Sequence, residues 1–446
     1  MDIIAAISTG TSPTAIGIVR VSGEGCLALC DKVFRPVDGT LLSDHAARKM
    51  VYGEMLDSEN RVIDRGLAVF FTRPSSYTGE DSAEFHCHGS PVVLRELLSA
   101  LFALGARQAR AGEFTQRAFL NGQLDLTQAE AVIDLIDAET AEAARNAAAQ
   151  LDGGLRRMLE PIQDTLLEIT SRFYAVVDYP DEDIEDVQPE QIADALKQAD
   201  LSLSRLLATC QRGKVLKSGV RTAIVGRPNA GKSSLLNALA GYDRAIVTNI
   251  PGTTRDIIRA DVLLSGLRVH FSDTAGIREN ADEIERIGVA RARQAVAGAD
   301  VVLVVLDASR ELTEEDQELL RDTENAPRII VLNKCDLDRK LNPDDFPGAI
   351  CVSAASGEGL KELEEKVASF GAGAGESALT QARHMRLARQ AAASIRTAAE
   401  ACQMGAPVDL AVVDLHDALS TLGRITGEQV DERLMDDIFS RFCVGK

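Results

Sequence analysis

The sequence predicts a multidomain chain of α/β and α type: an N-terminal α+β domain, a helical domain, and a domain with a mostly parallel sheet inserted into the helical one. Three observations predict this. At 446 residues the chain is too long for a single hydrophobic core. In its middle third, nearly all-apolar strands alternate with helical segments, the pattern of a parallel sheet covered on both faces. On either side of that third the text is rich in Ala, Leu, Asp and Glu, which favours helices.

Taken in order, residues 1–117 mix short strands and helices. Ile16-Gly-Ile-Val-Arg-Val-Ser and Leu67-Ala-Val-Phe-Phe-Thr read as strands, and Val92 to Leu104 as a helix. Residues 118–215 turn helical: Asp125-Leu-Thr-Gln-Ala-Glu-Ala-Val-Ile-Asp-Leu-Ile keeps its apolar residues at helical spacing, and an Ala-rich stretch continues it. An acidic loop, Asp178-Tyr-Pro-Asp-Glu-Asp-Ile-Glu-Asp, interrupts the run. Residues 216–373 carry the apolar strands Arg221 to Val225, Val301 to Leu306 and Arg328 to Leu332. Gly371-Ala-Gly-Ala-Gly reads as a flexible linker, and residues 374–446 return to helical text.

Composition narrows the class. Apolar content of 45% with 26% charge is that of a soluble globular protein. A formal charge of −20 argues against a chain that binds nucleic acid by itself through a broad basic face. The N-terminus MDIIAAIS lacks the basic and long apolar regions of a signal peptide, and no window is long and apolar enough to cross a membrane. Neither Cys26 with Cys30 nor His86-Cys87-His88 has a second ligand pair. Reduced, mostly buried thiols in a cytoplasmic protein are therefore expected.

The chemistry lies at the ends of the middle strands. Gly226-Arg-Pro-Asn-Ala-Gly-Lys-Ser-Ser fits the phosphate-binding loop pattern between a strand and a helix. Asn229, Ala230, Gly231, Lys232, Ser233 and Ser234 should line the phosphates; Lys232 reaches the β/γ oxygens and Ser233 ligates Mg2+. Asp273-Thr274-Ala275-Gly276 follows the strand Leu267 to Phe271, where Asp273 can hold Mg2+ through water and Gly276 can donate to the γ-phosphate. Between these loops, Gly252-Thr253-Thr254-Arg-Asp offers Thr254 as a switch ligand for Mg2+.

Asn333-Lys334-Cys-Asp336 ends another apolar strand, and its carboxylate can accept from guanine N1–H and the 2-amino group, a donor pair adenine lacks. Cys351-Val-Ser353-Ala354 ends a strand and offers backbone N–H to the guanine oxygen. These loops in this order, all at carboxyl ends of strands, imply a P-loop GTPase domain. One position departs from the Ras-like pattern. Ile277 stands where that group carries the water-orienting Gln, with Arg278, Glu279, Asp282, Glu283 and Glu285 close behind.

The loops 226–233, 252–256 and 273–278 resemble the TrmE–Era–EngA branch of GTPases. Gly17-Ile-Val-Arg-Val-Ser-Gly, Tyr77-Thr-Gly-Glu-Asp, Gly112-Glu-Phe-Thr-Gln-Arg-Ala-Phe-Leu-Asn and the terminal Cys443-Val-Gly-Lys extend the resemblance over the whole chain, to the MnmE (TrmE) family of tRNA modification GTPases. The resemblance implies a homodimer through a folate-binding N-terminal domain, and a heterotetramer with an FAD protein of the MnmG (GidA) type. Through that complex tRNA would be modified, a carboxymethylaminomethyl-type group being added at C5 of wobble uridine 34 with a carbon from 5-formyl-tetrahydrofolate. It further implies nucleotide contacts from Thr248, Asn249, Ile250 and Pro251 onward through Thr254, and K+ in place of an arginine finger, held by Asn229, Thr248, Ile250 and Thr253. Glu285 would activate water, with Arg278 beside it. Arg20, Glu84, Gln123 and Lys446 fall at folate-contacting positions, and Cys443 at the family's C-terminal cysteine. Gln123 stands where the family has Lys, which removes one positive charge facing the folate glutamate tail, and Ser8-Thr-Gly-Thr-Ser-Pro-Thr replaces a Pro/Gly/Arg-rich loop.

Two other classes fit the G loops: a GTP-binding regulatory scaffold, and an Era/EngA-like ribosome-assembly GTPase. The latter needs an RNA-binding module, for which the sequence offers no evident segment.

Overall fold

The computed structural model describes residues 2–10, 12–179, 189–242, 259–273, 296, 298–370, 378–405 and 407–445. Most of the acidic loop after Asp178 and the Gly371 linker lie outside them. By compactness the chain groups into two units.

The first unit takes Met1–Ile133, Gln150–Thr170 and Val412–Lys446. Its sheet runs in the order β3-β4-β5-β6-β2-β1-β7. The strands are β1 (Ile4–Ile7), β2 (Thr14–Ser22), β3 (Phe34–Pro36), β4 (Val51–Leu56), β5 (Val62–Phe71), β6 (Ser82–Gly89) and β7 (Arg107–Gln108). Period-2 alternation in β2 sends Val19 and Val21 inward against helices α1 (Cys26–Val33) and α2 (Pro91–Ala103), while Arg20 takes the other face. Helix α1 buries Cys26 and Cys30, four apart on one face, and the strand-borne Cys87 is buried beside them. The predicted strands at 16–22 and 67–72 and the helix at 92–104 are therefore present within a residue or two at most ends.

Helices α3 (Glu113–Leu120) and α4 (Leu126–Ile136) follow. The late helix α14 (Glu432–Phe439) returns to them, with Leu126, Ala129, Val132, Ile438, Phe439 and Phe442 forming one apolar cluster. Gly112 is required there: at φ 66, a Cβ would sit 2.6 Å from the Phe439 carbonyl. Beyond α14 the chain pairs Val444 with Ala111 in an antiparallel bridge, and Ser8 Oγ donates to the Gly445 carbonyl at 3.1 Å.

The second unit contains Asp134–Ala149 and Ser171–Ala411. Its sheet order is β13-β12-β11-β8-β10-β9, with β8 (Val220–Val225), β9 (Arg259–Leu264), β10 (Leu267–Asp273), β11 (Val301–Asp307), β12 (Arg328–Asn333) and β13 (Ile350–Cys351). All neighbours are parallel except β9 with β10. Apolar clusters cover both faces, as the unbroken runs of Val, Ile and Leu predict. Outside this sheet, the helices α7 (Pro189–Ala208) and α12 (Ala382–Gln403), which bracket the inserted domain in sequence, pack along one another.

Among the described residues no helix is long and apolar enough to cross a membrane.

Candidate functional site

The strand β8 lies between β10 and β11, so the chain leaves it at the point where strand order reverses, where open α/β sheets form a crevice. The loop Gly226–Gly231 leads straight into helix α9 (Lys232–Tyr242). Its shape depends on two residues in the left-handed region, Asn229 at φ 67 and Gly231 at φ 92. A Cβ on Gly231 would lie 2.2 Å from Asn333 Nδ2, so only glycine fits. Lys232 is buried and folds back over the loop, its Nζ donating to the carbonyls of Gly226 and Arg227 at 2.8 Å each. The ammonium is thereby held at the mouth of a loop of backbone N–H groups, the arrangement that binds a polyphosphate. Ser233 and Ser234 are exposed on the first turn of α9, so the Ser233 hydroxyl is available to a hard cation beside the phosphates.

Asn333, at the end of β12, does more than the sequence reading assigned to it. Its side chain is 1% exposed. Nδ2 donates to the Ala230 carbonyl of the phosphate loop at 2.9 Å, and Oδ1 accepts from the Ala354 N–H at 3.3 Å. One amide thus joins the loops after β8, β12 and β13. The Ala354 N–H, expected to face the guanine oxygen, is engaged with Asn333, and the Ser353 N–H donates to the Glu358 carbonyl at 2.9 Å. Lys334, at φ 65, points its ammonium to Asp307 at 2.7 Å. Burial works against the Asp307 charge, but Lys334 and Ser309 outweigh it and hold the carboxyl below its ordinary value. Asp307 was not singled out from sequence; a carboxylate at the end of an apolar strand beside two nucleotide loops was the available signal. Asp336 is exposed, on a turn fixed by Cys335 N–H to Val352 (3.1 Å) and Leu337 N–H to Lys334 (3.1 Å).

Thr248, Asn249, Ile250, Pro251, Gly252, Thr253, Thr254, Thr274, Ala275, Gly276, Ile277, Arg278, Glu285 and Lys446 lie outside the described residues. Of Asp273 the backbone alone is described, at the end of β10 opposite Ile224 of β8. Ser233 is thus the described member of the proposed Mg2+ set, and Asn229 of the K+ set.

A second constellation sits in the first unit. Arg20 of β2 and Glu84 of β6 face each other in register and pair through two guanidinium nitrogens, at 2.9 and 2.8 Å. The guanidinium lies 5.4 Å from the Tyr77 ring centre and 5.7 Å from that of Phe114. A cation–carboxylate pair walled by two aromatic rings suits a flat heterocycle carrying both donors and acceptors. Gln123 is exposed beside Gly79, and the exposed Cys443 is tied through its carbonyl to Gly112 N–H at 3.3 Å.

The Tyr77–Glu80 loop is held from below by a buried ion network that sequence reading passed over. Arg117, 3% exposed, reaches Glu80 at 3.0 Å, Asp2 at 2.8 Å and Glu113 at 3.2 Å. Arg107 also pairs with Glu113, at 2.5 Å. Burial works against the Glu113 charge, but Arg107, the Arg110 N–H and Arg117 bring its carboxyl to about 2. Glu80 in turn accepts from Ser22 at 2.9 Å, and Ser22 shares a hydrogen bond with Thr78 at 2.7 Å.

Comparison with known proteins now adds to this geometry. A family profile described as "MnmE helical domain" matches residues 126–443, and one described as "GTP-binding protein TrmE N-terminus" matches residues 3–123. Curated relatives named "tRNA modification GTPase MnmE" match end to end. Those of Natranaerobius thermophilus and Clostridioides difficile are each 40% identical, and that of Heliobacterium modesticaldum 43%. Each alignment covers 100% of this chain and 99% of the relative.

Proposed function

The chain belongs to the MnmE family of tRNA modification GTPases, and from that premise we propose that its GTP cycle drives formation of a carboxymethylaminomethyl-type group at C5 of wobble uridine 34. The observation that carries the GTPase part is the junction at Asn333, which locks the phosphate loop, with Lys232 at its mouth, to the two loops that face a guanine.

In this reading Asn229, Ala230, Gly231, Lys232, Ser233 and Ser234 bind the phosphates. Asp336 accepts from guanine N1–H and the 2-amino group, with Asn333, Lys334, Ser353 and Ala354 shaping its surroundings. The stretch 248–254 and Asp273 to Gly276 complete the γ-phosphate side. Mg2+ belongs with Ser233 and Thr254, and neutralises phosphate charge when bound. K+ belongs with Asn229, Thr248, Ile250 and Thr253 and supplies the positive charge that an arginine finger gives elsewhere. Glu285, with Arg278 near it, orients the attacking water in place of the missing Gln at position 277.

The Arg20–Glu84 pair between Tyr77 and Phe114 accommodates the flat ring of 5-formyl-tetrahydrofolate, with Gln123 toward its glutamate tail, Lys446 as a further folate contact and Cys443 in a one-carbon role. The working assembly is a cytoplasmic homodimer joined by an MnmG (GidA)-type FAD protein in a heterotetramer. The partner brings in the tRNA that a chain of charge −20 does not attract alone. The division into residues 1–117, 118–215, 216–373 and 374–446 follows the same reading.

Two measurements test it. GTP turnover is expected to be fast in K+ and slow in Na+; equal and negligible turnover in both salts would leave a regulatory scaffold instead. Deletion of the gene should remove the modified wobble uridines from digested tRNA analysed by mass spectrometry. Unchanged nucleosides would end the tRNA assignment while leaving the GTPase intact.

A further inference from the structure

The base-facing end of the nucleotide site contains two thiols. Cys335 lies inside Asn333-Lys-Cys-Asp336, and Cys351 closes β13 just before Val352-Ser-Ala354. The register pairs Leu332 of β12 with Cys351, and the chain then turns so that Cys335 N–H reaches the Val352 carbonyl at 3.1 Å. Both side chains lie on the same face of the sheet, half-buried against the cluster of Val225, Leu306, Leu332 and Leu341. There the Cys335 thiol donates to the Leu332 carbonyl at 3.0 Å, and the same carbonyl accepts the Val352 N–H at 2.8 Å, so the Cys335 sulfur lies against the backbone that follows Cys351. Neither is in a disulfide.

We propose that Cys335 and Cys351 form a peroxide-sensitive dithiol whose oxidation to a disulfide displaces Asp336 and weakens guanine binding. The inference rests on the reading that Asp336 holds the base.

Hydrogen peroxide is the oxidant. The Cys351 thiolate attacks one peroxide oxygen, the O–O bond breaks, and the departing hydroxide takes a proton to become water, leaving a sulfenic acid on Cys351. The Cys335 sulfur then displaces the sulfenic hydroxyl, which leaves as a second water with the Cys335 proton, and the S–S bond forms. Two thiols and one peroxide give one disulfide and two waters. Cys335 is the resolving partner because its thiol donates to the Leu332 carbonyl at 3.0 Å. Burial, reinforced by Cys351, also pushes that thiol up to about 11, so it stays protonated until the sulfenic acid is beside it.

Closing the bond takes the Cys335 sulfur off the Leu332 carbonyl and fixes it at about 2.05 Å from that of Cys351. Cys335 directly precedes Asp336, and Lys334 on its other side is held at φ 65 and tied to Asp307. The closure therefore pulls on the turn that presents Asp336. A shift of about 1 Å is enough to break hydrogen bonds made near 2.9 Å.

The test uses the full chain. A fluorescent GDP analogue is titrated before peroxide treatment, after it, and after dithiothreitol, and peptides are mapped with free thiols blocked. The wild type should show a 335–351 cross-linked peptide and at least about tenfold weaker GDP binding that dithiothreitol restores. Cys335→Ser and Cys351→Ser should each give the same affinity before and after peroxide, whereas Cys443→Ser should respond as the wild type does. Absence of the cross-link at a peroxide dose that oxidises the exposed Cys443, or a cross-linked protein that binds GDP within twofold of the reduced one, overturns the proposal. If the serine variants do not fold, the wild-type peptide map and the dithiothreitol reversal decide alone. Reduced Asp336→Asn separates the two readings: undiminished GDP binding there removes the base assignment whatever the thiols do.

Discussion

Consider replacement of Asn333 by aspartate, which keeps the shape of the side chain and changes one donor into an acceptor. Oδ1 can still accept the Ala354 N–H at 3.3 Å, but the second oxygen now faces the Ala230 carbonyl across 2.9 Å with no proton between them. The position is 1% exposed, so neither water nor salt relieves the contact. Losing the hydrogen bond and stranding the Ala230 carbonyl costs about 1–3 kcal/mol, and the buried, uncompensated charge raises the total to roughly 3–5 kcal/mol. Asn333→Ala removes both bonds without adding a charge, about 2–4 kcal/mol. If half of either cost appears as separation of the phosphate loop from the base loops, GDP affinity falls roughly 10-fold for Ala and up to ~60-fold for Asp, since about 1.4 kcal/mol is a factor of ten. Titration of a fluorescent GDP analogue gives the affinities, and thermal unfolding of the same samples gives the stability. Both variants within threefold of wild type, or Ala clearly worse than Asp, would refute the claim that this amide is the joint between the loops.

Lys232→Ala should remove the cation held by the Gly226 and Arg227 carbonyls and lower GTP turnover at least ~100-fold, read by phosphate release. Asp336→Asn should weaken GDP and favour xanthosine diphosphate, whose 2-oxo group accepts from an amide; competition binding reports the exchange. Glu113 is held at about 2 against an ordinary 4.5, below its unfolded value. Its contribution of roughly 3 kcal/mol is therefore complete above pH 4.5 and lost as pH falls from there toward 2. Melting temperature against pH should show that loss, and Glu113→Gln should be destabilised at neutral pH with a flatter acid limb. Gln123→Lys should tighten 5-formyl-tetrahydrofolate binding about threefold or more at low salt and lose the gain at high salt, as calorimetry would show.

The ligand was legible in the sequence because phosphate and base recognition use short contiguous segments. Gly231-Lys232-Ser233 follows a strand and opens a helix, and Asn333 to Asp336 ends an apolar run, so local text and local structure coincide. What the sequence concealed were partners far apart in the chain. Asn333 meets Ala230 across 103 positions, and Arg117 meets Asp2 across 115. No periodicity encodes such pairs. Asn333 looked like a base contact because it opens the segment Asn333-Lys-Cys-Asp336; its burial between two loops exists only once β8, β12 and β13 lie side by side. The Tyr77–Asp81 and Gly112–Asn121 segments stood out by resemblance alone, and the network of Glu80, Glu113 and Arg117 supplies a physical reason for them.

The inserted domain raises a mechanical point that follows from its anchoring. Its two chain crossings are stitched to each other: Leu379 N–H donates to Thr209 Oγ1 at 3.1 Å, and a Cβ on Gly213 would sit 1.8 Å from the Leu379 carbonyl, so the backbones meet where only glycine allows it. Both crossings also converge on Asp134, which accepts from Lys217 at 2.9 Å and from Thr380 and Gln381 at 3.0 Å each. Asn146 closes the set with two hydrogen bonds to Ala378, and Arg268 of β10 pairs with Glu139. A domain held by one strand can swivel by changing a few dihedrals. One held by two crossings that share a carboxylate must move both together or break several charged hydrogen bonds, each worth about 1.5–3 kcal/mol. A displacement of the inserted domain therefore has to carry with it α7 and α12, the helices these crossings leave and enter, or give up those bonds.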